Sequence, residues 1–120
     1  MNLLDRGFRA AAKAALLSDV NQRVGAALLV KSRVVSVGWN THKTHPKAPT
    51  EHTQHAEFNV LTGVNRAILP TAKLFVVRLG LSDQIRMAKP CGTCHKWLEA
   101  AGVKRLYFSS AHGVLERLRL

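Results

Sequence analysis

Two short stretches hold the side chains best suited to chemistry. "EHTQHAEFNV" (51–60) places Glu57 two residues after His55, and "PCGTC" (90–94) places thiols at Cys91 and Cys94. A C-x-x-C pair alone is compatible with a redox couple, with half of a zinc site, or with two small buried residues. In the first turn of a helix, however, both sulfurs face the same way and are favoured as thiolates by the helix N-terminus. One more neutral ligand would give zinc three protein ligands and an open fourth position, the arrangement catalytic zinc requires. His55, also expected at a helix start, is the candidate. Glu57, on the same first turn, is placed to exchange protons with a water on that metal without ligating it.

The neighbouring residues are read more plainly. His42, His45 and His52 fall in a polar stretch with Lys43 and Lys47 and are expected to be loop residues. The spacing of His52 and His55 would suit a ligand pair on one helical face, but Pro49 and Thr50 place the helix start after His52. His95 is expected to point away from a metal at Cys94. Trp39 and Phe58 could stack on a base, yet their positions favour core packing, as do those of Tyr107 and Phe108. Arg78, Arg86 and Lys89 lie on or near the loop that leads into "PCGTC" and are the leading candidates for phosphate contacts.

These residues need elements to hold them. "MNLLDRGFRAAAKAALLS" is amphipathic, and Leu4, Phe8, Ala12 and Leu16 recur at i, i+4 as on a core-facing helix rather than a transit peptide. Two β-rich runs follow, Val24 to Val30 and Val34 to Trp39, joined by a short connection at 31–33. Residues 40–54, with Pro46 and Pro49, predict a loop. From His55 the pattern is helical, with Phe58, Leu61 and Val64 on one face and Gly63 and Asn65 weakening the end. "AKLFVVRL" predicts a strand and "LGLSDQIRMAKP" a loop. "CGTCHKWLEAAG" predicts a helix closed by Gly102, "VKRLYFSS" a strand, and "GVLERLRL" a fifth strand or a helical turn. This order predicts an α/β fold with one mixed sheet under helices, its site where loops meet helix N-termini.

Composition sets the outer limits. The 120 residues fit a single domain spanning 1–120, and 47% apolar with 21% charged residues is ordinary for a soluble globular protein. A net charge of +11 favours phosphate-bearing partners. The two cysteines are too close together to frame a secreted disulfide fold, which predicts a reduced, cytoplasmic setting. No apolar run approaches the roughly 18 residues of a membrane span, and no signal-peptide core is present.

The H-x-E and P-C-x-x-C stretches together form the signature of zinc deaminases of nucleobases. "VGAALLVKSRVVSVGWNTHKTHP", "HAEFNVL", "KPCGTCHKWLEAAGVKRLYFSS" and "HGVLERL" extend the likeness, so that the chain from about Arg23 onward resembles the small deoxycytidylate-deaminase-like proteins of bacteria and phages. The resemblance implies a three-layer α/β/α cytidine-deaminase-like fold with one mixed sheet of four to five strands. It implies one Zn²⁺ per chain held by His55, Cys91 and Cys94. Glu57 would protonate ring N3, activate the water that attacks C4 of a cytosine and help ammonia leave. Asn40 matches the position of an asparagine that hydrogen-bonds the substrate's sugar or base. The Ala56 N–H would hold the base carbonyl, and the Pro90 carbonyl would accept from the exocyclic amino group.

The favoured substrate is a free cytosine nucleotide or nucleoside such as dCMP, because "HAEFN" resembles the nucleotide branch in having asparagine two after the glutamate. The alternative is cytosine in single-stranded DNA or RNA. The charge supports it, but a strand-binding groove needs aromatics among its cations, and the chain has only two Trp, one Tyr and four Phe. Adenosine in tRNA ranks lower because the chain stops at Leu120. A non-catalytic zinc-stabilised module is opposed by Glu57 and by the open fourth position. Family members commonly assemble as homo-oligomers that complete one another's pockets, and the resemblance gives no membrane partner.

Overall fold

The computed structural model describes residues 3–20, 22–41, 55–80, 82–89, 92–110 and 115–120. The elements are α1 (Leu3–Ala15), β1 (Arg23–Val30), β2 (Arg33–Trp39), α2 (Ala56–Leu61), a 3-10 helix (Arg66–Thr71), β3 (Lys73–Leu79), β4 (Ile85–Arg86), α3 (Gly92–Ala101), β5 (Arg105–Ser109) and β6 (Leu115–Arg119).

The central strands β1 and β3 are apolar on both faces, the pattern of strands covered from both sides. Ala27, Leu29, Phe75 and Val77 turn toward α1, joined by Ala11 and Ala15. The alternate residues Ala26, Leu28, Leu74 and Val76 meet Ala56, Val60 and Leu61 of α2, Leu98 and Ala101 of α3, and Leu106 and Phe108 of β5. Among the described residues the result is three layers, α/β/α, with α1 alone on one face of the sheet. Each large apolar side chain fully buried here contributes about 1.5–3 kcal/mol relative to exposure.

The sheet runs β2-β1-β3-β5-β6, with β4 pairing only with the end of β3. The β3–β5 pair is parallel and the others are antiparallel, so the sheet is mixed as expected. It has six strands rather than four to five. The addition is β4, two residues within the stretch expected to be all loop, too short to show a period of two. The 3-10 helix was also not foreseen, and its Pro70 marks why a longer helix does not form there. The last stretch is a strand, not a helical turn.

The buried face of α1 differs from the expected one. Leu4 and Leu16 are 40% and 53% exposed, Phe8 and Ala12 are half-buried, and the residues pressed to the sheet are Gly7, Ala11, Ala14 and Ala15. The helix lies too close for large side chains. A Cβ on Gly7 would fall 2.4 Å from the Phe75 ring, and one on Gly25 of β1 would fall 2.0 Å from the Ala11 carbonyl oxygen.

Candidate active site

Helix α2 begins at His55, which caps it in an extended conformation (φ −73°, ψ 149°) and accepts the Asn59 N–H at 3.1 Å through its carbonyl. The His55 side chain makes no capping hydrogen bond, so the imidazole is not spent on the helix end. A helix of only six residues has little stability of its own, and β2 fixes this one. The Ser36 hydroxyl donates to the Val60 carbonyl (2.6 Å) and the Asn59 amide donates to the Trp39 carbonyl (2.6 Å). Gly38 admits the close approach, since a Cβ there would fall 2.5 Å from the Val60 nitrogen.

Helix α3 brings the second component. Leu98 and Ala101 seat it in the core, and Gly102, at φ +108°, ends it as the sequence predicts. Cys94, near its start, is 1% exposed. The His55 Nδ1 lies 2.8 Å from the Cys94 Sγ. Glu57 completes the group: one ligand-type atom from each of His55, Glu57 and Cys94 lies within 4.8 Å of the others.

Glu57 is only 6% exposed. Burial pushes it above the ordinary carboxylate range, and its own backbone N–H and the neighbouring His55 pull it back only in part. A carboxyl raised in this way binds a proton more readily than a solvated one and can pass it to a neighbouring group. The donor set fits zinc: imidazole nitrogen and thiolate sulfur are its preferred ligands, and both are turned inward to one point.

Of the other sequence candidates, Asn40, Ala56, Arg78, Arg86 and Lys89 are among the described residues. Cys91 and Pro90 are outside the described residues, as are His42, His45 and His52. Ala56 is fully buried in the first turn of α2, where backbone N–H groups lack intrahelical partners. Asn40, at the end of β2, is buried and braced: its Oδ1 accepts from the Val24 N–H (2.9 Å) and the Ser18 hydroxyl (2.6 Å), and its Nδ2 donates to the Gln22 carbonyl (2.7 Å). Those contacts use both lone pairs of the amide oxygen and one amide hydrogen, which leaves one hydrogen to offer an acceptor.

Strand register sets the arginines near Asn40. Val24 pairs with Arg78, and Arg78 pairs with Arg86, so Asn40, Val24, Arg78 and Arg86 mark one end of the sheet. Arg78 alternates with Leu74 and Val76 and therefore lies on the face that carries α2 and α3. Directly opposed cations on neighbouring strands repel, which a bound anion relieves. Lys89 is exposed at the end of the same segment.

Of the aromatics expected in the core, Phe58 and Phe108 are buried, Tyr107 is partly buried, and Trp39 is half-buried outside both core clusters. Phe58 meets Trp97 with ring centroids 5.2 Å apart, and Tyr107 stacks on Phe75 at 5.0 Å. His95 Nε2 lies 3.8 Å from Glu99 on its own helix. The bracing roles of Ser18, Ser36 and Asn59 carry no sequence signature, because each depends on a partner 20 or more residues away.

Residues 1–110 match the family described as the cytidine and deoxycytidylate deaminase zinc-binding region. The chain belongs to this family. It is a zinc-dependent hydrolytic deaminase, and its structure groups a half-buried histidine with a buried carboxyl and a buried thiol. No curated protein matches the sequence. Among solved structures, cytidine deaminase from Burkholderia pseudomallei is 20% identical, with a TM-score of 0.71 over 99% of this chain and 93% of its own. The dCMP deaminase of cyanophage S-TIM5 in apo form is 22% identical, with a TM-score of 0.65 over 92% of this chain and 86% of its own. Cytidine deaminase from Mycobacterium tuberculosis is 21% identical, with a TM-score of 0.61 over 99% and 91%. At these identities the likeness shows the fold, which is the cytidine-deaminase-like fold expected. No helix among the described residues is long and apolar enough to cross a membrane.

Proposed function

We propose that the chain converts the cytosine of a free nucleotide or nucleoside, dCMP foremost, to uracil, with zinc held by His55, Cys91 and Cys94 and with Glu57 moving the protons. The observation that carries this reading is the convergence of His55, Glu57 and Cys94 within 4.8 Å in a buried place. The S-TIM5 enzyme, also solved in complex with dCMP and dUMP, supports the choice of substrate.

Zinc bound there supplies Lewis acidity that makes a water molecule easier to deprotonate near neutral pH. Glu57 takes a proton from the attacking water as its oxygen bonds to C4, and gives a proton to ring N3. It then passes the second proton to the amino nitrogen, so that the C4–N bond breaks and ammonia leaves. Both protons of the water thereby end on N3 and on ammonia, and the carboxyl returns to its starting state. The Ala56 N–H holds the base carbonyl, and the Pro90 carbonyl accepts from the amino group. Asn40 donates its remaining amide hydrogen to a sugar oxygen. Arg78, Arg86 and Lys89 face the phosphate.

A panel of deoxycytidine, dCMP, dCTP, cytidine, single-stranded DNA and tRNA, assayed at several salt concentrations, tests the substrate. Turnover of dCMP with weak salt dependence is the expected result. Turnover of polymers only, falling steeply with salt, would overturn it in favour of the reading that the net charge of +11 supports.

A further inference from the structure

β1 accompanies β3 along its whole length, but β5 pairs with it only from Lys73 to Val76. Beyond that point β4 takes the place of β5 beside Arg78 and Leu79. A fork thus opens at the carboxyl ends of two parallel strands, and the segment leading to the cysteines enters it. Ser109, the last residue of β5, sits in the fork fully buried. Its hydroxyl accepts the Arg78 N–H (3.2 Å) and donates to the Arg86 carbonyl (2.7 Å), while its carbonyl accepts the Ala88 N–H (2.9 Å). One residue therefore ties the end of β3 and both ends of the 86–88 strap to β5. Ala88 is buried against the core shared by α2 and α3. The strap runs into Lys89, two residues before Cys91.

We infer that Ser109 is a positioning residue for metal retention: it holds the 86–88 strap preformed, so that the chain enters α3 where Cys94 meets His55 without a search. The inference rests on the proposed metal site. A hydroxyl is the group the fork requires, because it donates and accepts at once. An alanine would leave a part-buried N–H and a part-buried carbonyl with one partner fewer and would let the strap move.

The test compares zinc-loaded wild type, Ser109→Ala and Leu118→Ala, the last a control for ordinary core loss on β6. Zinc release to excess chelator is followed alongside thermal melting. Ser109→Ala is expected to release zinc on the order of tenfold faster, as when an outer partner of a metal site is removed, while Leu118→Ala lowers the melting temperature and leaves release unchanged. Equal release rates for wild type and Ser109→Ala would overturn the inference and reduce Ser109 to a structural residue. A wild type that binds no zinc would instead overturn the metal site on which it rests. Amide hydrogen exchange on metal-free wild type adds a readout that needs no variant. The Arg78 and Ala88 amides are expected to stay protected, and free exchange at both would contradict a preformed strap.

Discussion

The imidazole Nδ1 of His55 stands 2.8 Å from the sulfur of Cys94, across 39 residues of sequence. Each comes from a helix start seated by its own contacts, α2 by β2 and α3 by the core, so losing one ligand leaves the other in place. Cys94→Ser is expected to keep the fold, read by circular dichroism. It is expected to weaken zinc binding by more than the roughly 10–100-fold lost when only an outer partner is changed. Metal analysis of the purified variant checks this.

The depth at which α1 sits depends on Gly25. A Cβ there would lie 2.0 Å from the Ala11 carbonyl oxygen and 2.2 Å from the Ala15 nitrogen, both backbone atoms that cannot step aside. Gly25→Ala is expected to destabilise the chain by about 1–3 kcal/mol, measured as the shift of a denaturation midpoint. Gly92→Ala, where a Cβ meets nothing within 4 Å, provides the contrast and is expected to fold normally.

Asn40 braces the fold in addition to its proposed role toward the sugar. Asn40→Ala removes the acceptor of the Val24 N–H and the donor to the Gln22 carbonyl. Each buried group left unsatisfied costs about 1–3 kcal/mol. The variant is expected to melt at a lower temperature without substrate as well as to show a raised KM. Unchanged melting would contradict the bracing role.

The grouping of His55, Glu57 and Cys94 was legible in the sequence because each lies near a predicted helix start, and the strands beside them read as short apolar runs. Long-range geometry was less legible. The i, i+4 run of Leu4, Phe8, Ala12 and Leu16 marked one face of α1, yet Gly25 and Phe75, far along the chain, decide that the face of Gly7, Ala11, Ala14 and Ala15 fits. β4 is too short for a pattern, and its place is set by where β5 ends. The bracing of Asn40 by Val24, Gln22 and Ser18 exists only once β1 and β2 are paired.

Arg78 provides a way to separate phosphate recognition from chemistry. It lies on the α2 and α3 face of the sheet, opposite Arg86. Loss of a charge-assisted contact costs about 1.5–3 kcal/mol. Arg78→Ala is therefore expected to raise KM for dCMP roughly tenfold or more while leaving deoxycytidine turnover unchanged. An equal effect on both substrates, in steady-state kinetics, would remove Arg78 from phosphate binding.

The central claim is that Glu57 moves protons and is not needed to hold the metal. Glu57→Gln keeps the shape of this buried side chain and removes its titratable proton. The decisive measurement is zinc content and dCMP deamination on the same preparation of this variant. The account predicts zinc retained at close to one per chain, with turnover reduced by at least the 10²–10⁴-fold typical of a lost general acid–base. Loss of zinc together with activity would make Glu57 a ligand, and deamination at the wild-type rate would contradict the mechanism outright.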